Sequence, residues 1–258
     1  MSTNLLFLGL AALLLVFGQF VVAPLRMYFS HKSRIQFYRR FDPTTEASLP
    51  ELESLIAGTA ATLASRGFEV VGHFVGAESV QLRFTLLNRT SQEDSAQLAE
   101  IRSAIRTVRW LEFDSTFADG SVLSTNNLTV PSGTFARLPG YMQLHFPEVR
   151  DPLDLYELHL AACRSYFSGL DKVKYGAQEI LDKFLAETRM VFEHQVACGL
   201  MRRAQEPGVY APTLKGAFVM VWKNVFPVVS IRRILSNSRM KKIHDSLADL
   251  VAAEGWQE

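Results

Sequence analysis

A chain of 258 residues with 48% hydrophobic content, 18 Phe and 21% charged residues holds ample material for a packed core, which excludes an intrinsically disordered protein. The formal net charge of +1 conceals an uneven distribution: residues 41–212 carry 15 basic and 22 acidic side chains, whereas Arg26 to Arg40 and Pro207 to His244 carry basic ones only. Basic segments that adjoin apolar sequence and bound an acidic body exclude nucleic acid as the natural partner and point to anionic phospholipid head groups of a lipid bilayer.

In chain order, the first signal is the apolar run Leu5 to Leu25, in which Gln19 is the only strongly polar residue. At about 1.5 Å rise per residue, some twenty such residues match a hydrocarbon core about 30 Å thick. Residues 1–25 are therefore expected to form a transmembrane anchor, and residues 26–48 a basic juxtamembrane collar and linker. Arg26, Lys32, Arg34, Arg39 and Arg40 orient the anchor with its N-terminus outside and the body in the cytoplasm. The competing reading is a signal peptide cleaved near Val21-Val22-Ala23, which leaves an exported domain. The uncharged segment Met1 to Asn4 and the basic block after the run both oppose it.

Residues 49–212 read as a soluble α+β body. Leu52, Leu55, Ile56, Ala60 and Leu63 repeat at helical spacing within Leu49 to Ser65, and Gly67 ends that helix. Val80 to Leu86 alternates apolar and polar residues, so it is expected to pair with Phe68 to Val75 as a hairpin. Ala96 to Arg109 returns to the helical period through Leu98, Ile101, Ile105 and Val108. Its other face carries Arg102, Arg106 and Arg109, a candidate anion-binding stripe. Trp110 to Phe117 and Ser121 to Val130 flank Asp119-Gly120, a dipeptide suited to a tight hairpin loop because it tolerates positive φ. The expected core is thus an antiparallel sheet of about four strands with packed helices.

Pro131 to Pro147 is turn-rich and aromatic. Asp151-Pro152 supplies an N-cap and a first-turn proline for a helix to about Phe167. A second helix, Gly176 to about Ala204, completes a predicted helical hairpin. The remaining residues, 213–258, form a basic, helical C-terminal part. Leu214 to Ile231 is apolar but interrupted by Lys215, Lys223, Asn224 and Pro227, and a lysine at mid-bilayer costs about 2.5 to 3.5 kcal/mol. An interfacial position suits it better than a span, with Lys215, Trp222, Lys223, Arg232, Arg233, Arg239, Lys241 and Lys242 as lipid contacts. An ordinary buried helix is the competing reading. Ser246 to Ala253 closes the chain as a short helix.

Catalytic motifs are scarce. The sequence has no glycine-rich phosphate loop, no G-x-G-x-x-G, no G-x-S-x-G and no H-E-x-x-H, so no cofactor is implied. His159 with Cys163 and His194 with Cys198 have i, i+4 spacing, the arrangement of half a zinc site. In a straight helical hairpin the two pairs are out of register by roughly 14 to 20 Å, so no metal site is assigned. Glu112, Asp114 and Asp119 read as a solvated strand face and turn. The sequence points to a membrane-held binding or assembly protein, its protein partner unidentified. The alternative is a membrane-associated enzyme acting on a lipid or lipid-linked anionic substrate, with His73 or His145 as base.

Overall fold

Strand-forming sequence dominates the middle of the chain, and it builds a larger sheet than the pattern of alternation indicates. The computed structural model describes residues 7, 9–10, 17–34, 38–42, 50–76, 81–89, 93–102, 107–129 and 136–254. Its helices are α1 (Ala23–Ser30), α2 (Pro50–Ala64), α3 (Pro152–Tyr166), α4 (Ile180–Ala197), α5 (Leu214–Asn224) and α6 (Val228–Glu254). The strands are β1 (Ser33–Arg34), β2 (Tyr38–Arg40), β3 (Glu69–Gly76), β4 (Gln81–Arg89), β5 (Asp94–Arg102), β6 (Thr107–Thr116), β7 (Val122–Asn126), β8 (Tyr141–His145), β9 (Met201–Arg203) and β10 (Val209–Pro212). The chain divides into two units. One takes Gln36–Ser132, Pro139–Ala186 and Ser236–Glu258, and is called the sheet unit here; the other takes Met1–Ile35, Gly133–Leu138 and Glu187–Leu235, and is called the helical unit.

The sheet unit contains a seven-stranded sheet in the order β2-β3-β4-β5-β6-β7-β8. Neighbours are antiparallel except β7 and β8, which run parallel with Val122 opposite Tyr141. Side-chain alternation sends Leu87, Leu98, Leu111, Phe113, Leu123 and Leu144 to one face. There they pack with Leu52, Ile56 and Leu63 of α2, Leu155 and Tyr156 of α3, and Met240 and Leu247 of α6. Phe74, Phe84, Leu86 and Ala99 point to the other face and meet Ile180, Leu181 and Phe184 of α4.

That arrangement corrects several expectations. The sheet has seven strands, not about four, and the described residues of the predicted helix Ala96 to Arg109 lie in β5 and at the start of β6, which pair side by side and antiparallel. The cause is burial of β5 on both faces, which makes Ala96, Leu98, Ala99 and Ile101 a near-continuous apolar string that mimics a helical stripe. Arg106 lies outside the described residues. The predicted helical hairpin fails too, since α3 and the start of α4 pack on opposite faces of the sheet. Asp119-Gly120 does turn the chain between β6 and β7, but in a longer loop. Phe117 N–H donates to Ser121 O at 2.8 Å, and only Gly120 has the positive φ, +82°.

The helical unit holds the three-stranded antiparallel sheet β1-β10-β9, with Ser33 opposite Tyr210 and Tyr210 opposite Arg203. Tyr210 stacks on Phe192 of α4 at 4.8 Å, and its hydroxyl donates to Glu193 at 2.7 Å. Thr213 caps α5 by accepting from Gly216 N–H at 3.0 Å, while its own hydroxyl donates to Gly199 O at 2.7 Å. Gly216 is required there, because a Cβ at that position would overlap the Leu200 carbonyl.

The expected transmembrane anchor is also corrected. Among the described residues no single helix is long and apolar enough to cross a membrane. Most of the run from Leu5 to Val16 lies outside the described residues. The described end of the run is a π-helical turn, Gly18–Val22, leading into α1; it touches α5, but none of its residues is buried and Phe17 and Val22 are exposed. Phe20 meets the Trp222 ring at 5.5 Å, Pro24 is buried, and Arg202 lies over Tyr28 at 5.1 Å. The helices α5 and α6 have the length and apolar character of a span only when taken together, and they are bent by 70°.

Candidate functional site

Two places in the chain gather chemistry, one closed and one open. The closed one lies in the sheet unit and is assembled by register. Asp94 opens β5 directly opposite Ser115 of β6, and Thr125 of β7 sits beside them. Over this edge α3 lowers Tyr156, His159 and Cys163, residues three and four apart on one helix face, while Lys172 comes from the segment after α3.

The Asp94 carboxylate accepts from the Ser115 hydroxyl at 2.6 Å, from the Tyr156 hydroxyl at 2.7 Å, and from the Lys172 ammonium. Having donated to Asp94, Ser115 Oγ accepts from His159 Nε2 at 2.8 Å, so that ring nitrogen bears a proton. Its Nδ1 faces Thr125 Oγ1 at 3.1 Å. Cys163 Sγ stands 3.7 Å from His159 Nε2 and 3.5 Å from Ser115 Oγ. Arg89 Nη1 completes the set by donating to Tyr156 Oη at 2.6 Å.

Electrostatics follow from this packing. Burial alone would push Asp94 up, but the charges of His159 and Lys172 and the donated hydrogen bonds hold its carboxyl below the usual range. Cys163 behaves alike: burial raises the thiol, His159 and Lys172 outweigh it, and the net direction is down. Tyr156 goes up, because burial and the Asp94 charge both oppose a phenolate. Nucleophile, base and carboxylate are thus in contact, yet Asp94, Ser115, Thr125, Tyr156 and His159 are all buried. None of the five is open to solvent. The cluster locks α3 onto β5, β6 and β7.

The other residues that the sequence singles out are dispersed. His73 is half-buried on β3, hydrogen-bonded to Thr85 at 2.9 Å and beside the Phe41 ring. Burial, against the opposing effect of Asp42, lowers its pKa. His145, on β8, five strands from His73 in the sheet order, meets Asn126 Oδ1 of the neighbouring β7 at 2.7 Å. Arg102 and Arg109 converge on the buried Glu100 carboxylate, at 3.7 and 2.6 Å. Glu112 is not a solvated residue. It is half-buried and accepts from Trp110 Nε1 at 3.1 Å, from Ser124 Oγ, and from Asn126 and Gln143 at 3.3 Å each. His194 Nε2 and Cys198 Sγ are 3.6 Å apart in the helical unit, while His159 and Cys163 belong to the sheet unit. Among the described residues no group of three or more His, Cys, Asp and Glu is placed to hold a metal ion.

The open place is in the helical unit. Helix α5 is inverted relative to an ordinary surface helix: its small and flexible residues Gly216, Ala217 and Met220 are buried, whereas Leu214, Phe218 and Trp222, four apart, are exposed. After the bend, Phe226 is 74% exposed, and Ile231, Ile234 and Leu235 form a second exposed stripe at the start of α6. Leu25 and Phe29 of α1 are exposed as well, Phe29 at 77%. Lys215, Lys223, Arg232 and Arg233 lie among these side chains in a stretch without a single acid. Five of the eight expected lipid contacts, Lys215, Trp222, Lys223, Arg232 and Arg233, belong to this unit. Arg239, Lys241 and Lys242 fall on the part of α6 that belongs to the sheet unit.

No protein-family model, curated protein or solved structure matches the chain.

Proposed function

We propose that the protein works at a membrane surface and acts by binding rather than by catalysis. The observation that carries this reading is the inverted surface of the helical unit, where large apolar side chains face outward and only basic residues lie among them. Soluble monomers rarely leave such an apolar surface uncovered. The same combination suits the headgroup boundary, where Trp222 and its apolar neighbours leave water while lysine and arginine stay at the phosphate level. A cytoplasmic leaflet, with its anionic lipids, provides the matching charge. The sheet unit, whose polar centre around Asp94 is buried, then serves as the body that this surface holds at the membrane.

The test uses Trp222 as its own reporter. In full-length protein carrying Trp110→Phe and Trp256→Phe, anionic vesicles should shift the Trp222 emission to the blue and carry the protein into the pellet. Trp222→Ala with Phe226→Ala, in the otherwise unchanged chain, should weaken vesicle binding about tenfold, the size expected for losing a few tens of Å² of buried apolar surface per side chain. An unshifted emission with vesicles in excess would sink the proposal.

A further inference from the structure

Arg102 and Arg109 converge on Glu100, and the register of the seven-stranded sheet adds a third guanidinium to the group. Glu100 of β5 lies directly opposite Arg83 of β4 on one side and Arg109 of β6 on the other, so the three side chains share a face. Arg102, two residues further along β5, points to the same face and is the diagonal neighbour of both Arg83 and Arg109, within reach of long side chains. The Glu100 side chain is 1% exposed, whereas those of Arg102 and Arg109 are 40% and 32% exposed.

One carboxylate does not serve three cations. Arg109 takes it, with Nε donating to Oε2 at 2.6 Å. Arg102 Nε stops 3.7 Å from Oε1, beyond hydrogen-bond distance, and both of these buried atoms are without a hydrogen-bond partner. Arg83 has no ion pair among the described residues. Its buried Nε is likewise without a hydrogen-bond partner, and its guanidinium lies over the Phe41 ring at 5.7 Å. An arginine keeps its charge in any such setting, and a buried donor left unmet costs free energy that an anionic ligand recovers.

We propose that this face of the sheet binds a phosphate monoester, held by Arg83 and Arg102 while Arg109 ties down Glu100 beside them. The site lies in the sheet unit and does not depend on the membrane-surface reading. Two guanidiniums are short of an acceptor here, which suits a ligand group of about two negative charges. A phosphate monoester carries about 1.5 to 2 at neutral pH, whereas a diester or a single carboxylate carries one. Its three terminal oxygens also match planar forks, each of which can engage two of them. A soluble phosphorylated metabolite and a lipid with a monoester head group present the same chemistry.

The experiment is a calorimetric titration of full-length protein with glycerol 3-phosphate at fixed ionic strength. Saturable binding to one site is expected, and Arg83→Gln with Arg102→Gln should weaken it about tenfold or more, the size expected for losing hydrogen bonds to a charged group. Lys241→Gln with Lys242→Gln removes as much charge from the same unit and should leave binding unchanged; an equal loss would mean diffuse attraction and no site. Arg83→Lys with Arg102→Lys keeps the charges without the forks and should fall between the unchanged chain and the Gln variant. No recovery would attribute the loss to a disturbed sheet and overturn the site. Dimethyl phosphate, a diester, should bind about tenfold more weakly than the monoester, and equal affinity would overturn the choice of ligand class. Phosphatidylcholine vesicles containing phosphatidic acid, set against phosphatidylglycerol at equal surface charge, separate the two sources. A preference for phosphatidic acid that disappears in the Arg83 and Arg102 variant, with no binding of glycerol 3-phosphate, assigns a lipid head group; glycerol 3-phosphate binding without that preference assigns a soluble ester. If neither binds through these arginines, the proposal fails, and because the titration uses no membrane, that failure leaves the membrane-surface reading untouched.

Discussion

The two units handle the same surplus of apolar residues in opposite ways. In the sheet unit, Phe74, Phe84, Phe113, Phe117 and Phe146 are all fully buried, and the polar groups that go inside with them satisfy one another around Asp94. In the helical unit, Phe29, Phe218, Trp222 and Phe226 are exposed, while Gly216 and Ala217 occupy the interior. The contrast separates two meanings of hydrophobic sequence. One part follows the periodicity of its elements and builds a core. The other spends Gly216 and Ala217 on close helix packing and leaves Leu214, Phe218 and Trp222 of the same helix exposed.

The comparison can be sharpened by damaging each unit on its own terms. The largest effect is expected from Asp94→Ala, which leaves the Lys172 ammonium, the Ser115 hydroxyl and the Tyr156 hydroxyl without their acceptor. Removing one partner of a buried ion pair costs about 3 to 5 kcal/mol, to be read from the urea midpoint. The pH dependence has a definite sign. The folded-state pKa of Asp94 lies below its unfolded value, so its contribution is present above the ordinary carboxylate range, about pH 3.9, and is lost as pH falls through the folded value. The unchanged protein should lose stability below about pH 4, and Asp94→Ala should have a flatter profile there.

The helical unit is broken by Gly216→Ala, whose new methyl group has to displace the backbone at Leu200. A cost of about 3 kcal/mol is expected for such overpacking. With Trp222 as the only tryptophan, its unfolding transition should move to lower urea, while Trp110 reports a smaller change in a companion variant. If Trp110 and Trp222 move together by the full amount, the two units unfold as one and the comparison collapses. The smallest effect is expected from Asp151→Ala. It removes the cap that accepts from Leu153 N–H at 2.7 Å and Asp154 N–H at 3.2 Å at the start of α3. About 1 kcal/mol should be lost, with vesicle binding unchanged.

What could be read from the sequence was local. The α2 periodicity, the β3 and β4 pair, the Asp119-Gly120 turn and the Asp151-Pro152 start of α3 each depend on residues within a few positions of one another. What escaped the sequence depends on burial or on distant partners. The two-sided burial of β5 hid its alternation. Strands β9 and β10 are three and four residues long and fell within or after a segment that scans as helix. The Asp94 centre draws on β5, β6, β7, α3 and the segment after it, and only the His159 to Cys163 spacing hinted at it. The N-terminal apolar run was legible as composition, but its described end packs against α5 and forms no spanning helix, and exposed apolar residues lie on α1, α5 and α6 alike.

The small sheet of the helical unit joins residues far apart in the chain, since β1 pairs with β10 through Ser33 and Tyr210. Closing so long a loop is entropically slow, whereas the meander from β3 to β7 grows by adding neighbours. During synthesis the sheet unit therefore has most of its strands before the helical unit has any second strand to offer. Until Tyr210 leaves the ribosome, Leu25 and Phe29 belong to a segment whose partners do not yet exist, so chaperones meet this part of the protein before its own fold does.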